Sequence, residues 1–141
     1  MGMDAQAVED RIIAALPLAG DMGLQVLEVG EGKSVLRLPF HEKMTRPGGT
    51  IMGPVLMTLA DAAMYAAIFG VLGPVEMAVT ANLNINFLRR PGPKPLRAEG
   101  KIMKMGQHLA FCDVQLYLEG EDDVVAQVTG SYSIPPHKDG K

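Results

Sequence analysis

The sequence predicts an α+β fold in which an antiparallel sheet of about five to six strands wraps around one long buried helix. The stretch 47–75 is apolar on all sides, which is typical of a helix covered within a protein. The segments that follow it alternate apolar and polar residues with the period of two that strands show. A chain of 141 residues is most simply a single domain, 1–141, with room for one core.

The chain before the long helix predicts a short helix, a hairpin and a loop. Residues 4–16 have the apolar spacing of an amphipathic helix, which Pro17 is expected to end. Residues 23–39 alternate on both sides of a glycine-containing turn, as is typical of a hairpin. Polar residues and a Pro-Gly-Gly break make 40–52 a loop that leads into the helix.

The long helix is expected to begin with Gly53 as its N-cap and Pro54 in its first position, and to end near Phe69. The period then changes to two, and strands are predicted over 78–88, 95–105, 108–118 and 124–134. Strict alternation in the first of these strands places Thr80 on the same face as Asn82. The residues after about 135 are expected to form a loose tail.

Composition and charge favour a soluble protein in a reducing compartment. Hydrophobic residues make up 48% of the chain and charged residues 21%, which is ordinary for a globular protein. The net charge of −3 and the lack of a basic cluster argue against a nucleic-acid partner. The single cysteine, Cys112, cannot form an internal disulfide, which fits a cytoplasmic protein. A membrane span at 47–75 is rejected because Asp61 falls near its middle.

Asp61 is the single charged residue between Pro47 and Val75. An ionised carboxylate in an apolar setting is unfavourable unless something compensates it, and Asp is a weak helix former. A carboxylate where folding would favour Leu is therefore a candidate for chemistry. The alternative is a structural carboxylate that caps a loop or pairs with Arg46 or with an arginine of a partner chain.

The order of elements and one motif resemble the hotdog-fold acyl-CoA thioesterases of the phenylacetate-pathway (PaaI-like) type, in the 4-hydroxybenzoyl-CoA thioesterase superfamily. The family pattern is Asn, then His-Gly-Gly, then Leu-Ala-Asp within the helix, and the matching run here extends from Gly48 to Asp61. The segment 84–91 resembles the family strand that ends in Leu-Arg-Pro, and 104–108 resembles its Gly followed by basic residues. The resemblance covers about residues 20–135.

The resemblance implies a reaction and assigns residues to it. Asp61 would be the general base or nucleophile, and the Gly53 N–H would polarise the thioester carbonyl. No cofactor is implied, because CoA is part of the substrate. Residues expected near the CoA portion are Arg89, Arg90, Pro91, Gly106, Gln107 and His108. Three positions depart from the family pattern: Met52 for His, Pro54 for the second Gly, and Arg46 where an Asn would stand.

Other residues are candidates for the substrate channel, each with a structural alternative. Arg46, Met52 and Pro54 lie in or next to the loop that enters the site. Tyr65 follows Asp61 by one turn and would line the acyl pocket or pack in the core. The side chains of Asn82 and Asn84 would form a channel wall or face solvent. No metal site is expected, because His41, His108 and His137 lack ligand spacing.

Spacing along the helix predicts an assembly. Gly53 and Asp61 lie eight residues apart, which is roughly 12 Å of helical rise. One helix cannot bring both groups to a single carbonyl, so we expect a homodimer with two shared sites, and its pairing into a tetramer is left open. Two alternatives to an acyl-CoA thioesterase stay open: a non-catalytic acyl-CoA-binding protein and a hotdog dehydratase or hydratase.

Overall fold

The computed structural model describes residues 3–136. Its main layer is a six-stranded antiparallel sheet packed against one long helix. The elements are α1 (Ala5–Ala15), α2 (Pro17–Asp21), β1 (Gln25–Gly30), β2 (Lys33–Leu38), β3 (Thr45–Arg46), β4 (Thr50–Ile51), α3 (Gly53–Leu72), β5 (Val79–Phe87), β6 (Leu96–Met105), β7 (Leu109–Leu118) and β8 (Val124–Ser133). The order across the sheet is β1-β2-β6-β7-β8-β5, and a short β3-β4 pair lies apart. The predicted α+β class is confirmed.

Helix α3 is the centre of the core, and every strand of the six-stranded sheet contacts it. Met64, Ile68 and Phe69 are fully buried beneath the sheet. By length and composition α3 could cross a membrane, but 67% of that stretch is buried inside the fold. Its apolar surface is therefore explained by the sheet around it.

The predicted hairpin and the three strands after 95 are confirmed to within about two residues, while the predicted end of the long helix was wrong. Helix α1 ends at Ala15, before Pro17 as predicted, and Pro17 then begins a separate short helix, α2, because proline is well suited to a first helical position. Helix α3 has Met52 as its N-cap, one residue before the predicted Gly53, and continues past Phe69 to Leu72. Gly70 lies inside it, where a Cβ would stand 2.3 Å from Val29 Cγ1, so this glycine permits close packing and does not end the helix.

A β-bulge at Ala81 breaks the alternation predicted for β5. Thr80 pairs with Tyr132, but the next paired residue is Asn82, which lies opposite Ser131. The extra residue returns Thr80 to the side of the sheet that faces α3, together with Leu83. The prediction that Thr80 shares a face with Asn82 was therefore wrong.

Strand β5 forms one edge of the sheet, since β8 is its single neighbour among the described strands. Apolar side chains stand at both of its ends, with Val79 58% and Phe87 53% exposed. An exposed edge strand with apolar ends can pair with another chain. The predicted tail lies outside the described residues after Pro136, and the single-domain boundary stays a prediction.

Candidate active site

Asp61 is held in place by two hydroxyl groups from the sheet. The Thr80 hydroxyl on β5 and the Tyr132 hydroxyl on β8 each donate to Asp61 Oδ1 over 2.7 Å. The other oxygen, Oδ2, has no hydrogen-bond partner among residues 3–136, and Asp61 forms no ion pair within that range. The residue is half-buried, so its free oxygen can meet a molecule from outside the chain.

Tyr132 is the more deeply buried of the two donors, with 3% of its surface exposed. Its ring stacks on Tyr65 with the ring centroids 5.7 Å apart. Burial, reinforced by the charge of Asp61, raises the pKa of Tyr132 well above its ordinary value. The hydroxyl therefore keeps its proton and acts as a donor.

Gly53 provides a backbone donor at the start of α3. The first N–H groups of a helix have no acceptor inside the helix, and the Gly53 N–H finds none elsewhere in residues 3–136. Pro54, the next residue, has no N–H. The ring of Phe87 covers this position, because a Cβ built on Gly53 would lie 3.1 Å from Phe87 Cζ. The positive end of the helix dipole adds to the attraction for a developing oxyanion.

A groove of about 450 Å³ opens at the start of α3. Its lining consists of one helix end, one loop and one strand end: Arg46, Ile51, Gly53, Leu56, Phe87, Leu88, Arg89, Arg90 and Pro91. It contains arginines but no carboxylate, although Arg89 forms an ion pair with Asp123 at its margin. The fold thus places five of the predicted site residues beside one another in this groove.

The remaining predicted residues lie elsewhere in the chain. Gly106, Gln107 and His108 form the β6–β7 turn, at the end of the sheet where Tyr132 and Asp61 lie. That end is opposite to the Phe87 end of β5, where the groove opens. Within one chain, the predicted site residues therefore form two separate groups.

Four further channel candidates do not line the groove beside Gly53. Met52 faces a second groove of about 770 Å³ beside Met44. Tyr65 is buried, and its hydroxyl donates to the Glu76 carbonyl over 2.8 Å. Asn82 and Asn84 lie on the sheet face directed away from α3.

Pro54 and Cys112 have structural surroundings of their own. Pro54 is exposed, and its carbonyl accepts the Thr58 hydroxyl over 2.9 Å. Burial raises the pKa of the Cys112 thiol to about 12. In the described part of the chain, no group of three or more His, Cys, Asp or Glu is arranged to hold a metal ion.

The chain belongs to the thioesterase superfamily, whose family model matches residues 48–125. With this family and fold it is a thioester hydrolase of the hotdog class, and the resemblance found in the sequence is confirmed. A protein of Saccharolobus solfataricus, provisionally named as an esterase, is 31% identical over 80% of this chain and 74% of its own length.

Two solved structures show the same fold. A provisionally named thioesterase from Silicibacter sp. TM1040 has a TM-score of 0.86 and 33% identity, over 95% of this chain and 93% of that one. The Escherichia coli PaaI protein from the phenylacetic acid degradation operon has a TM-score of 0.76 and 22% identity, over 92% of this chain and 96% of that one. At the lower identity the likeness concerns the fold alone.

Sequence reasoning missed three residues of this region: Thr80, Tyr132 and Phe87. A bulge hides Thr80, because alternation assigns it to the wrong face. Tyr132 lies 71 positions from Asp61, so no local pattern joins them. Phe87 lies near the end of a predicted strand, but its contact with Gly53 depends on the direction of α3 across the sheet.

Proposed function

We propose that this protein hydrolyses acyl- or aryl-CoA thioesters to the free acid and CoA. Asp61 activates a water molecule, and the Gly53 N–H stabilises the oxyanion that develops on the thioester carbonyl. The observation that carries the proposal is the carboxylate of Asp61, anchored through one oxygen and left open at the other. No cofactor takes part in this route, because a carboxylate, a water and a backbone donor are sufficient.

The two halves of the site come from different chains of a homodimer. Thr80, next to Asp61, and Phe87, next to Gly53, stand at opposite ends of edge strand β5. If two copies pair antiparallel through β5, the Asp61 end of one chain meets the Gly53 end of the other. The exposed apolar ends of this strand support such pairing, and dimers can pair further into tetramers.

The groove beside Gly53 suits the phosphates of CoA. Arg46 and Arg90 form no ion pair with any described residue, so their charge is available to a ligand. In the paired arrangement, the partner's β6–β7 turn approaches the same groove. Substituting Arg90 with Gln should raise KM for an acyl-CoA and leave KM for the matching acyl-pantetheine unchanged. A similar rise for both substrates would contradict the phosphate role.

A cytoplasmic location is part of the proposal, supported by a buried cysteine that remains a thiol. Binding of acyl-CoA without hydrolysis is the second candidate. It is favoured by Pro54, which takes away one backbone donor at the helix start.

The test is release of free thiol from a panel of acyl-CoAs that covers short, long and aromatic acyl groups. Turnover should be lost in Asp61→Asn and kept in Asp113→Asn, since Asp113 binds Gln127 and lies away from the site. Tight binding without thiol release would support the second candidate. Turnover that survives Asp61→Asn would contradict the assignment of the base.

The shared site has its own test, in which Asp61→Asn is mixed with Gly53→Val. Each variant alone should be inactive, because each lacks one half of both sites. Random mixing should restore about a quarter of wild-type activity, since half of the dimers are mixed and each mixed dimer has one intact site. No recovery in proven mixed dimers would contradict a shared site.

A further inference from the structure

We infer that Tyr132, together with Thr80, is a positioning residue that fixes the Asp61 carboxylate through Oδ1, so that Oδ2 is the oxygen that activates water. This inference rests on the proposed function and deepens it, because it names the atom that acts and the groups that hold it. Both hydroxyls reach the same oxygen at 2.7 Å, and none of the described residues binds the other oxygen.

The donor geometry shows why the two hydroxyls can orient the carboxylate. An aspartate side chain rotates about two bonds, and a single contact leaves one of these rotations free. Two donors from different strands, β5 and β8, hold Oδ1 through two separate contacts and restrict that freedom. A carboxylate oxygen that already accepts two hydrogen bonds has little capacity for a third. The remaining capacity of the group is at Oδ2.

Distance decides between two acceptors for the Tyr132 hydroxyl, which has one proton to donate. Its oxygen lies 2.7 Å from Asp61 Oδ1 and 3.2 Å from the main-chain carbonyl oxygen of the same residue. The shorter contact is to a charged acceptor, which forms the stronger bond. The hydroxyl therefore acts on the side chain of Asp61.

The fold contains two features that bring these hydroxyls to Asp61. The bulge at Ala81 turns Thr80 toward α3, where strict alternation would direct it away. Bulges are frequent beside active sites, where they redirect a side chain. Tyr132 is buried, and its ring is held by the stacked ring of Tyr65, so its hydroxyl position is well defined.

Hydroxyl deletion tests the inference without removing the surrounding packing. Tyr132→Phe keeps the stacked ring, and Thr80→Val keeps the shape of the side chain. Each should lower kcat for thioester hydrolysis by about tenfold or more, because the base loses its fixed orientation. KM should change by less than about threefold, since substrate contacts stay in place.

Two control variants separate the hydroxyls from general structure. Thr80→Ser retains a hydroxyl and should keep kcat close to wild type. Tyr117→Phe removes a hydroxyl that binds Gln115 on the other face of the sheet, and it should keep both kcat and KM. If Tyr132→Phe fails to fold, the pair Thr80→Val and Thr80→Ser still decides the question at an exposed position.

The outcomes distinguish this inference from the proposed function. Release of thiol by the wild type, lost in Asp61→Asn and reduced through kcat in both hydroxyl deletions, supports it. A folded Tyr132→Phe variant with wild-type kcat overturns the inference alone, as does an equal loss of kcat in Thr80→Val and Thr80→Ser. A wild-type protein that hydrolyses no thioester overturns the proposed function and the inference together.

Discussion

Replacing Asp61 with Asn should abolish activity at little cost in stability, whereas Ala should cost both. Asp61 Oδ1 accepts the hydroxyls of Thr80 and Tyr132, and an asparagine carbonyl oxygen at that place can accept them as well. The amide nitrogen would then occupy the position of Oδ2, where it cannot take a proton from water. In the proposed mechanism, stability and catalysis therefore depend on different oxygens of one side chain.

The magnitudes follow from what each variant leaves unpaired. Asp61→Asn keeps an acceptor for both hydroxyls, so unfolding free energy should change by less than about 1 kcal/mol. Asp61→Ala removes the short, charged acceptor of Tyr132, which is 3% exposed, and leaves its hydroxyl with the longer 3.2 Å contact to the main-chain carbonyl of residue 61. Loss of a buried hydrogen bond to a charged acceptor costs about 1–3 kcal/mol, or roughly 3–10 °C in melting temperature at this chain length. Both variants should lose about 10²–10⁴ in kcat.

Thermal unfolding followed by circular dichroism measures the difference in melting temperature between the Asn and Ala variants. All samples are compared at one protein concentration, because a dimer's stability depends on concentration. Adding Tyr132→Phe to Asp61→Ala provides the control, since the hydroxyl that lost its carboxylate acceptor is then gone and the extra loss should shrink. Equal melting temperatures for the Asn and Ala variants would refute the reasoning on stability. Wild-type turnover in Asp61→Asn would refute the reasoning on chemistry.

Three further predictions concern the fold around the site. Gly130→Ala should destabilise the protein by about 1–3 kcal/mol in urea unfolding, because its Cβ would lie 2.8 Å from the Asn82 carbonyl oxygen and would push β5 from β8. Ser34→Ala should cost about 1 kcal/mol in the same measurement, since the buried hydroxyl donates to the Ala63 carbonyl over 2.7 Å. Burial raises the pKa of Cys112 from 9.0 to about 12, so the native thiol should resist a thiol reagent at about pH 8 and react after unfolding. The same shift makes the free energy of unfolding depend on pH. The contribution of Cys112 to that free energy is complete below pH 9.0 and is lost as the pH rises toward about 12.

Period and composition predict much of this fold, because they report which face of each element is buried. The alternating segments became β6, β7 and β8, and the stretch without a polar face became α3. Asp61 could be singled out for the same reason, as a charge where the burial pattern requires an apolar residue. Local sequence pattern is a weaker guide to where an element begins or ends. Pro17 begins a helix, and Gly70 lies inside one.

The contacts of Asp61 could not be predicted, because they depend on tertiary geometry. The bulge that redirects Thr80 has no signature in the alternating run, where Ala81 fits an ordinary strand. Tyr132 reaches Asp61 through the pairing of β8 with β5, which joins positions far apart in the chain. The sequence singled out the candidate base, and the order of strands determined which groups contact it.

In the proposed homodimer, strand β5 would control both assembly and chemistry. Its Thr80 end supports Asp61 and its Phe87 end covers Gly53, so the pairing of two such strands sets the distance between the halves of each site. A slip of two residues keeps the inward and outward faces but moves the halves by about 7 Å along the strand. That shift exceeds the reach of a hydrogen bond, so the register of the β5 pair must be as closely specified as the catalytic groups themselves.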